Sequence, residues 1–271
     1  MTTPRTVDGE GFEYLHFDRR DGHVLVVTID RPDSPINAVD EQMHHELTAL
    51  FPLLQRETQA RCVVLTGAGG AFSAGGDFAW FPQLQEPGRL EALHADATSM
   101  IWDLLDVQVP IVAAVNGHAM GLGASLALLC DVIVMAESAT IGDPHVKVGL
   151  VAGDGGTVAW PLALGPALAK QYLLTGDALT APDAHRLGLV NLVAPDERCL
   201  DEAIGLAQRI AANPPMAVQL TKVAVNQLVK DAAAKAFDLA TSLEMKTFAS
   251  ADHAEALAAI AEKRPPKFEN R

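Results

Sequence analysis

The chain has 271 residues, 49% of them hydrophobic and 20% charged, enough apolar material for a sizeable core and too much for wholesale disorder. Lys and Arg total 20 against 34 Asp and Glu, a net charge of −14 with a pI near 4.9, which excludes a general nucleic-acid or anionic-membrane binder because both need a basic surface. A few local cations can still hold a small anion.

Three cysteines, Cys62, Cys130 and Cys199, are too scattered for a disulfide framework or a metal set, and a reducing compartment is the simplest reading. The opening MTTPRTVDGEGFEY has no apolar stretch of a signal peptide, and no run approaches the roughly 20 apolar residues that span a bilayer. The expectation is a soluble cytoplasmic protein.

HVLVVTI (residues 23–29) predicts a strand that ends in the turn cluster Asp30 to Pro35. Asp40 is an N-cap candidate for a helix with Met43, Leu47, Leu50 and Leu54 on one face, its last turn disturbed by Pro52. RCVVLTG predicts a second strand, residues 89–105 a helix, and VPIVAAVNG from Val109 a third strand. GLGASLALL then reads as helix, followed by strands at 131–135 (DVIVM) and 189–193 (LVNLV). Alternating strand and helix favours an α/β fold whose short strands are buried on both faces. After Pro195 the sequence turns Ala-rich with helical periodicity, as in Ile204, Ala207 and Ile210, or Ala236, Leu239 and Leu243. We therefore divide the chain into a core, 1–195, and a helical region, 196–271, whose broad apolar faces need the core or another subunit to cover them.

No phosphate-loop, dinucleotide, serine-hydrolase or zinc-protease signature is present. Two glycine-rich segments, each placed after a strand, remain: GAFSAGGD (70–77) and NGHAMGLGASLALL (116–129). Glycines there can serve simply as tight turns, or can expose backbone N–H groups at a helix start where an anion is stabilised.

With IDRP…NAVD, VVLTGAGGAFSAGGDF, VPIVAAVNGHAMGLGASLALLCD, SATIGDPHVKVGLVAGDGGT, YLLTGDALTAPDAHRLGLVNLV and EKRPPKF, the chain resembles the crotonase, or enoyl-CoA hydratase/isomerase, superfamily over nearly its whole length. The resemblance implies a spiral of ββα units, a C-terminal helical region that builds homotrimers or hexamers, and an acyl-CoA thioester as substrate, with coenzyme A entering as part of it and no permanently bound cofactor. It implies an oxyanion hole from the backbone N–H groups of Gly76 and Leu122, where Leu122 replaces the glycine of many members. It also places Ala74, Gly76, Asp77, Phe78 and Ala79 along the thioester and pantetheine, with Trp80 and Phe81 as acyl-pocket walls or ordinary core. Lys263 would meet the CoA 3′-phosphate.

The two glutamates of the family's hydratases would fall at Ser125 and His145, so that mechanism cannot be copied onto this chain. His145 is a candidate proton-transfer group with Asp154 orienting its ring, and Ser125 supplies at most a hydrogen bond. This pair resembles the β-diketone hydrolases of the superfamily, which cleave carbon–carbon bonds. Asp154 could also act as a nucleophile, as in aroyl-CoA dehalogenases, or cap the helix near Thr157 while His145 merely walls the pocket. Of His44 and His45, adjacent on one helix, at most one can face the pocket. Three readings stay open: an acyl-CoA hydratase or isomerase type of enzyme, a C–C or thioester hydrolase, and a silent acyl-CoA-binding protein.

Overall fold

The computed structural model describes Val7 and residues 9–270; half of the opening stretch read above as lacking an export leader lies outside these described residues. β1 (Leu15–Arg20) and β2 (Val24–Ile29) form an antiparallel hairpin with Leu15 opposite Ile29. α1 (Glu41–Leu54) starts where the Asp40 carboxylate accepts the Met43 N–H at 2.9 Å. It runs past Pro52 without breaking. β3 (Cys62–Gly67), β4 (Ala71–Ser73), α2 (Arg89–Asp106), β5 (Ile111–Val115), β6 (His118–Met120), α3 (Leu122–Leu129), β7 (Val132–Ala136) and β8 (Thr140–Gly142) follow. Then come α4 (Gly156–Leu164), α5 (Pro166–Thr175), β9 (Leu179–Thr180), α6 (Ala181–Arg186), β10 (Leu192–Ala194), α7 (Cys199–Ala211), α8 (Pro215–Phe248) and α9 (Ala251–Ala261).

Two sheets result, a six-stranded one ordered β1-β2-β3-β5-β7-β10 and a four-stranded one ordered β4-β6-β8-β9. From β2 to β10 the larger sheet is parallel. β3 and β5 are buried at every residue, which is why they read as unbroken apolar runs rather than alternating ones. β1 is different. Its burial alternates weakly, and LHFDRR carries three charges, so the edge strand gives no hydrophobic signal; it is tied down instead by buried Glu46, whose carboxylate accepts the N–H groups of Glu13, Tyr14 and Leu15.

The expected strand at 189–193 is displaced to β10. Leu189 and Val190 are buried, but in a turn whose N–H groups bond Ala184 O, and the Asn191 side chain accepts the Ile133 N–H. The Asn191 backbone N–H still bonds the Ile133 carbonyl, so its side chain stands in for the reciprocal ladder bond at this point of the predicted strand. The second sheet was not foreseen, because its strands are two or three residues long and two of them, β4 and β6, lie inside the glycine-rich segments.

Across the boundary drawn at 195 and 196 the apolar core is continuous. Cys199, Ala203, Ala207 and Ala211 press α7 onto the larger sheet, and Phe237 of α8 belongs to the same cluster. Small residues on α7 let it sit close to the strands. By contrast Met216, Leu220, Leu228 and Leu239 of α8 are 57 to 73% exposed in the single chain. All three thiols are buried, and burial pushes those of Cys62 and Cys199 up to about 12. Among the described residues, no helix is long and apolar enough to cross a membrane.

Candidate active site

The two glycine-rich segments meet at β4 and α3. A Cβ on Gly123 would lie 2.4 Å from the Ser73 carbonyl oxygen, so only glycine permits this approach. Val39 bridges in parallel to Gly76, using the Gly75 carbonyl and the Asp77 N–H. In a parallel bridge the central residue's own N–H turns the other way, so the Gly76 donor is left out of this pairing. Leu122 is the first residue of α3, where N–H groups have no intrahelical acceptor.

Gly76 and Leu122 line a narrow cavity of about 60 Å³, with His145, Asp154 and Glu244 on its wall. Its other walls are mostly apolar: Val39, Phe81, Leu93, Ala97, Leu150, Met245 and Phe248, together with His44 and Trp80. That volume holds a few water molecules, on the rule that one needs roughly 10–15 Å³.

His145 opens a short 3-10 turn after Pro144. Asp154, the aspartate expected to orient the ring, lies on the other side of it from the group that does. Asp143 Oδ1 is 2.5 Å from Nδ1, while Asp154 Oδ2 is 3.4 Å and Glu244 Oε1 is 3.7 Å from Nε2. The hydrogen bond to Asp143 therefore fixes the ring and leaves Nε2 toward Asp154 and Glu244. The second Asp143 oxygen has no hydrogen-bond partner and abuts Gly156, the first residue of α4, where a Cβ would come within 2.1 Å of it. A helix N-terminus favours that negative charge.

Asp154 is held on both sides: the Ser125 hydroxyl donates to its Oδ1 at 2.8 Å, and the Gly156 N–H also bonds it. Gly155, not Asp154, is the N-cap of α4. Ser125 thus reaches His145 only through Asp154. Glu244 arrives from α8, where Phe237, Ala240, Thr241, Glu244 and Phe248 form the buried stripe. Gly153 makes this approach possible, since a Cβ there would lie 2.6 Å from the Glu244 Cβ.

Burial opposes charge on His145, yet the carboxylates of Asp154, Asp143 and Glu244 overcome it and hold the imidazole's proton well above its ordinary value near 6.5. Burial, reinforced by neighbouring carboxylates, raises Asp154 and lifts Glu244 well above the usual carboxyl range despite the attraction of His145. Each of the three groups therefore holds its proton to higher pH than it would in water. Asp143, His145 and Asp154 offer ligand atoms within 4.8 Å of one another. The aspartates approach opposite ring nitrogens, however, which suits proton sharing better than coordination of one cation.

The remaining sequence candidates are more dispersed. Ala74 donates its N–H to the Ile36 carbonyl, and Asp77 pairs with Arg31 at 2.8 Å and accepts the Ala79 N–H. Phe78 and Ala79 are exposed beside Gly76. Trp80 and Phe81 do wall the cavity; His44 faces it, whereas His45 is exposed and 3.3 Å from Asp96. Lys263 is exposed, does not line the cavity, and makes no ion pair among the described residues. Its neighbour Arg264 is neutralised by Glu255 and Glu262, and the bonds from Arg264 and Lys267 lower the Glu255 carboxyl to about 2. His253 is buried with Nδ1 2.7 Å from the Val148 carbonyl oxygen.

Asp143 and Glu244 were missed by sequence reasoning. Asp143 stands two residues before His145, close enough for a local hydrogen bond. Glu244 carried one signal, a carboxylate on the apolar stripe of its helix.

Residues 19–271 match the family model described as enoyl-CoA hydratase/isomerase. The chain belongs to the enoyl-CoA hydratase/isomerase family. Mitochondrial enoyl-CoA hydratase of Pongo abelii is 32% identical over 97% of this chain and 90% of its own length. The crystal structure of an enoyl-CoA hydratase/isomerase from Mycobacterium paratuberculosis is 40% identical, with a TM-score of 0.86 over 92% of this chain and 99% of that one. A β-diketone hydrolase from the cyanobacterium Anabaena, bound to (S)-3-oxocyclohexyl acetic acid, is 30% identical, with a TM-score of 0.84 over 91% of this chain and 98% of that one. The two sheets and helical C-terminal region are the crotonase fold of this family, and its members named enoyl-CoA hydratase are enzymes of the lyase and isomerase type.

Proposed function

We propose that this enzyme binds an acyl-CoA thioester, stabilises its enolate between the N–H groups of Gly76 and Leu122, and moves the proton at the α-carbon with His145. The observation that carries the reading is the His145 ring, held at Nδ1 by Asp143 and directing Nε2 toward the cavity acids. Two fixed donors favour the charge that forms on the thioester oxygen, by about 3 kcal/mol each in comparable sites. The side chain of Leu122 leaves its backbone donor intact. Nε2 shares its proton with Asp154 and Glu244: with that proton on an acid, the free ring takes one from the α-carbon as the enolate forms, and the imidazolium so made returns it to carbon, so the proton count balances over the cycle.

Phe78 and Ala79, exposed beside Gly76, support a thioester and pantetheine lying along residues 74–79, and unpaired Lys263 is free for a phosphate of coenzyme A. No resident cofactor takes part in this reading. The exposed apolar residues of α8 support a homotrimer, and three buried unpaired thiols support a cytoplasmic location.

A second reading, hydrolytic cleavage of a C–C bond, is favoured by the histidine at the position of a hydratase glutamate and by the similarity to a β-diketone hydrolase. The two are separated by incubating the protein with crotonyl-CoA, 3-oxobutanoyl-CoA and a cyclic β-diketone, and quantifying products by mass spectrometry. Our reading predicts conversion of crotonyl-CoA to its hydrate or isomer. Cleavage of the diketone with crotonyl-CoA untouched would replace it by the second, and micromolar thioester binding without any turnover would remove both.

A further inference from the structure

The cavity has a polar feature that proton transfer at His145 does not use. Trp80 is 8% exposed, and its indole Nε1 is buried with no hydrogen-bond partner. His44, 4% exposed on the buried face of α1, likewise bonds no described group through its ring. The two rings touch, with centroids 5.7 Å apart and planes at 47°, and both residues line the cavity. Buried indole N–H groups normally find an acceptor, and an unpaired one costs stability that an apolar ring of the same shape would not. Phe81 and Phe248 show that apolar rings fit this wall.

The donor type narrows what is missing. An indole N–H can only donate, so its partner is an acceptor. Among the described residues no Lys or Arg lines the cavity, while Asp154 and Glu244 do, which disfavours a carboxylate or phosphate there. A neutral oxygen remains. Burial and the neighbouring His45 lower the His44 imidazole to about 4, so it is uncharged near neutral pH and can serve the same oxygen without bringing a charge.

We propose that Trp80 and His44 form a recognition point for a neutral oxygen on the acyl group, so that oxoacyl or hydroxyacyl thioesters are preferred to alkyl ones of equal length. This rests on the acyl-CoA reading above. A site built to bond an oxygen discriminates against the analogue that lacks it, because its own polar atoms are then left unpaired.

The test is calorimetry on the wild type, Trp80→Phe and His44→Phe with pentanoyl-CoA, 4-oxopentanoyl-CoA, hexanoyl-CoA and 5-oxohexanoyl-CoA. None of these carries a double bond or a β-dicarbonyl, so binding is read apart from turnover. At least one oxo ester should bind the wild type about 10-fold more tightly than its alkyl parent, and Trp80→Phe should reduce that advantage to about 2-fold or less. Among the three indole N–H resonances of the wild type, the one absent from Trp80→Phe should move downfield with the oxo ester only. This signal stands even if His44→Phe fails to fold. Equal affinity for oxo and alkyl esters, or an unmoved resonance, overturns the recognition point alone. Failure of every thioester to bind overturns the acyl-CoA reading and this proposal with it.

Discussion

Replacing His145 by alanine is expected to lower kcat on crotonyl-CoA by about 10³-fold, roughly 4 kcal/mol of lost transition-state stabilisation, with a much smaller change in KM. Among the described residues lining the cavity, this ring alone offers a nitrogen to substrate while its other nitrogen is held by a carboxylate. Removing it leaves Asp154 and Glu244 as two buried acids without their compensating cation. Asp154→Asn should also lower kcat, since the ring then loses its nearest counter-charge on the Nε2 side. Steady-state kinetics on the three proteins checks both effects, with circular dichroism to confirm folding; unchanged rates in both variants would remove His145 from the chemistry.

Asp143→Asn should have the second largest effect, lowering kcat by about 10²-fold and moving the pH profile. Asp143 both fixes Nδ1 and contributes to holding the proton on His145. With a protonated ring as donor, the wild-type rate falls as pH rises through the raised value of His145. In Asp143→Asn that fall comes at lower pH. Stability shifts in the same sense. Folded His145, Asp154 and Glu244 all keep protons to higher pH than they would when unfolded, so their contribution is complete below the unfolded values and is lost as pH rises through the folded ones. The wild type should therefore lose more melting temperature than Asp143→Asn between pH 6 and 9. A rate profile with the same falling limb in both proteins would contradict the role given to Asp143.

How far the sequence reveals this site depends on the distance over which each interaction acts. The buried parallel strands β3 and β5 announce themselves as apolar runs, and Asp40 announces the start of α1 because an N-cap acts within three residues. The strands of the smaller sheet are silent: in two or three residues no periodicity can develop. His145 and Asp154 were legible through the resemblance, as was their closeness, but which ring nitrogen each acid meets depends on backbone directions around Pro144 and Gly155 that composition does not carry. Glu244 comes from a helix a hundred residues away in sequence. Only tertiary packing, with Gly153 giving α8 room, brings its carboxyl to the ring.

In the proposed mechanism His145 moves a proton at the carbon beside the thioester while Gly76 and Leu122 hold the enolate. Deuterium uptake by butanoyl-CoA in heavy water measures that step alone, whatever the net reaction is. The wild type should place deuterium at the α-carbon at a rate readable by mass spectrometry, and His145→Ala should do so at least 100-fold more slowly. No uptake by a wild type that turns over thioesters, or equal uptake by the two proteins, would contradict the account.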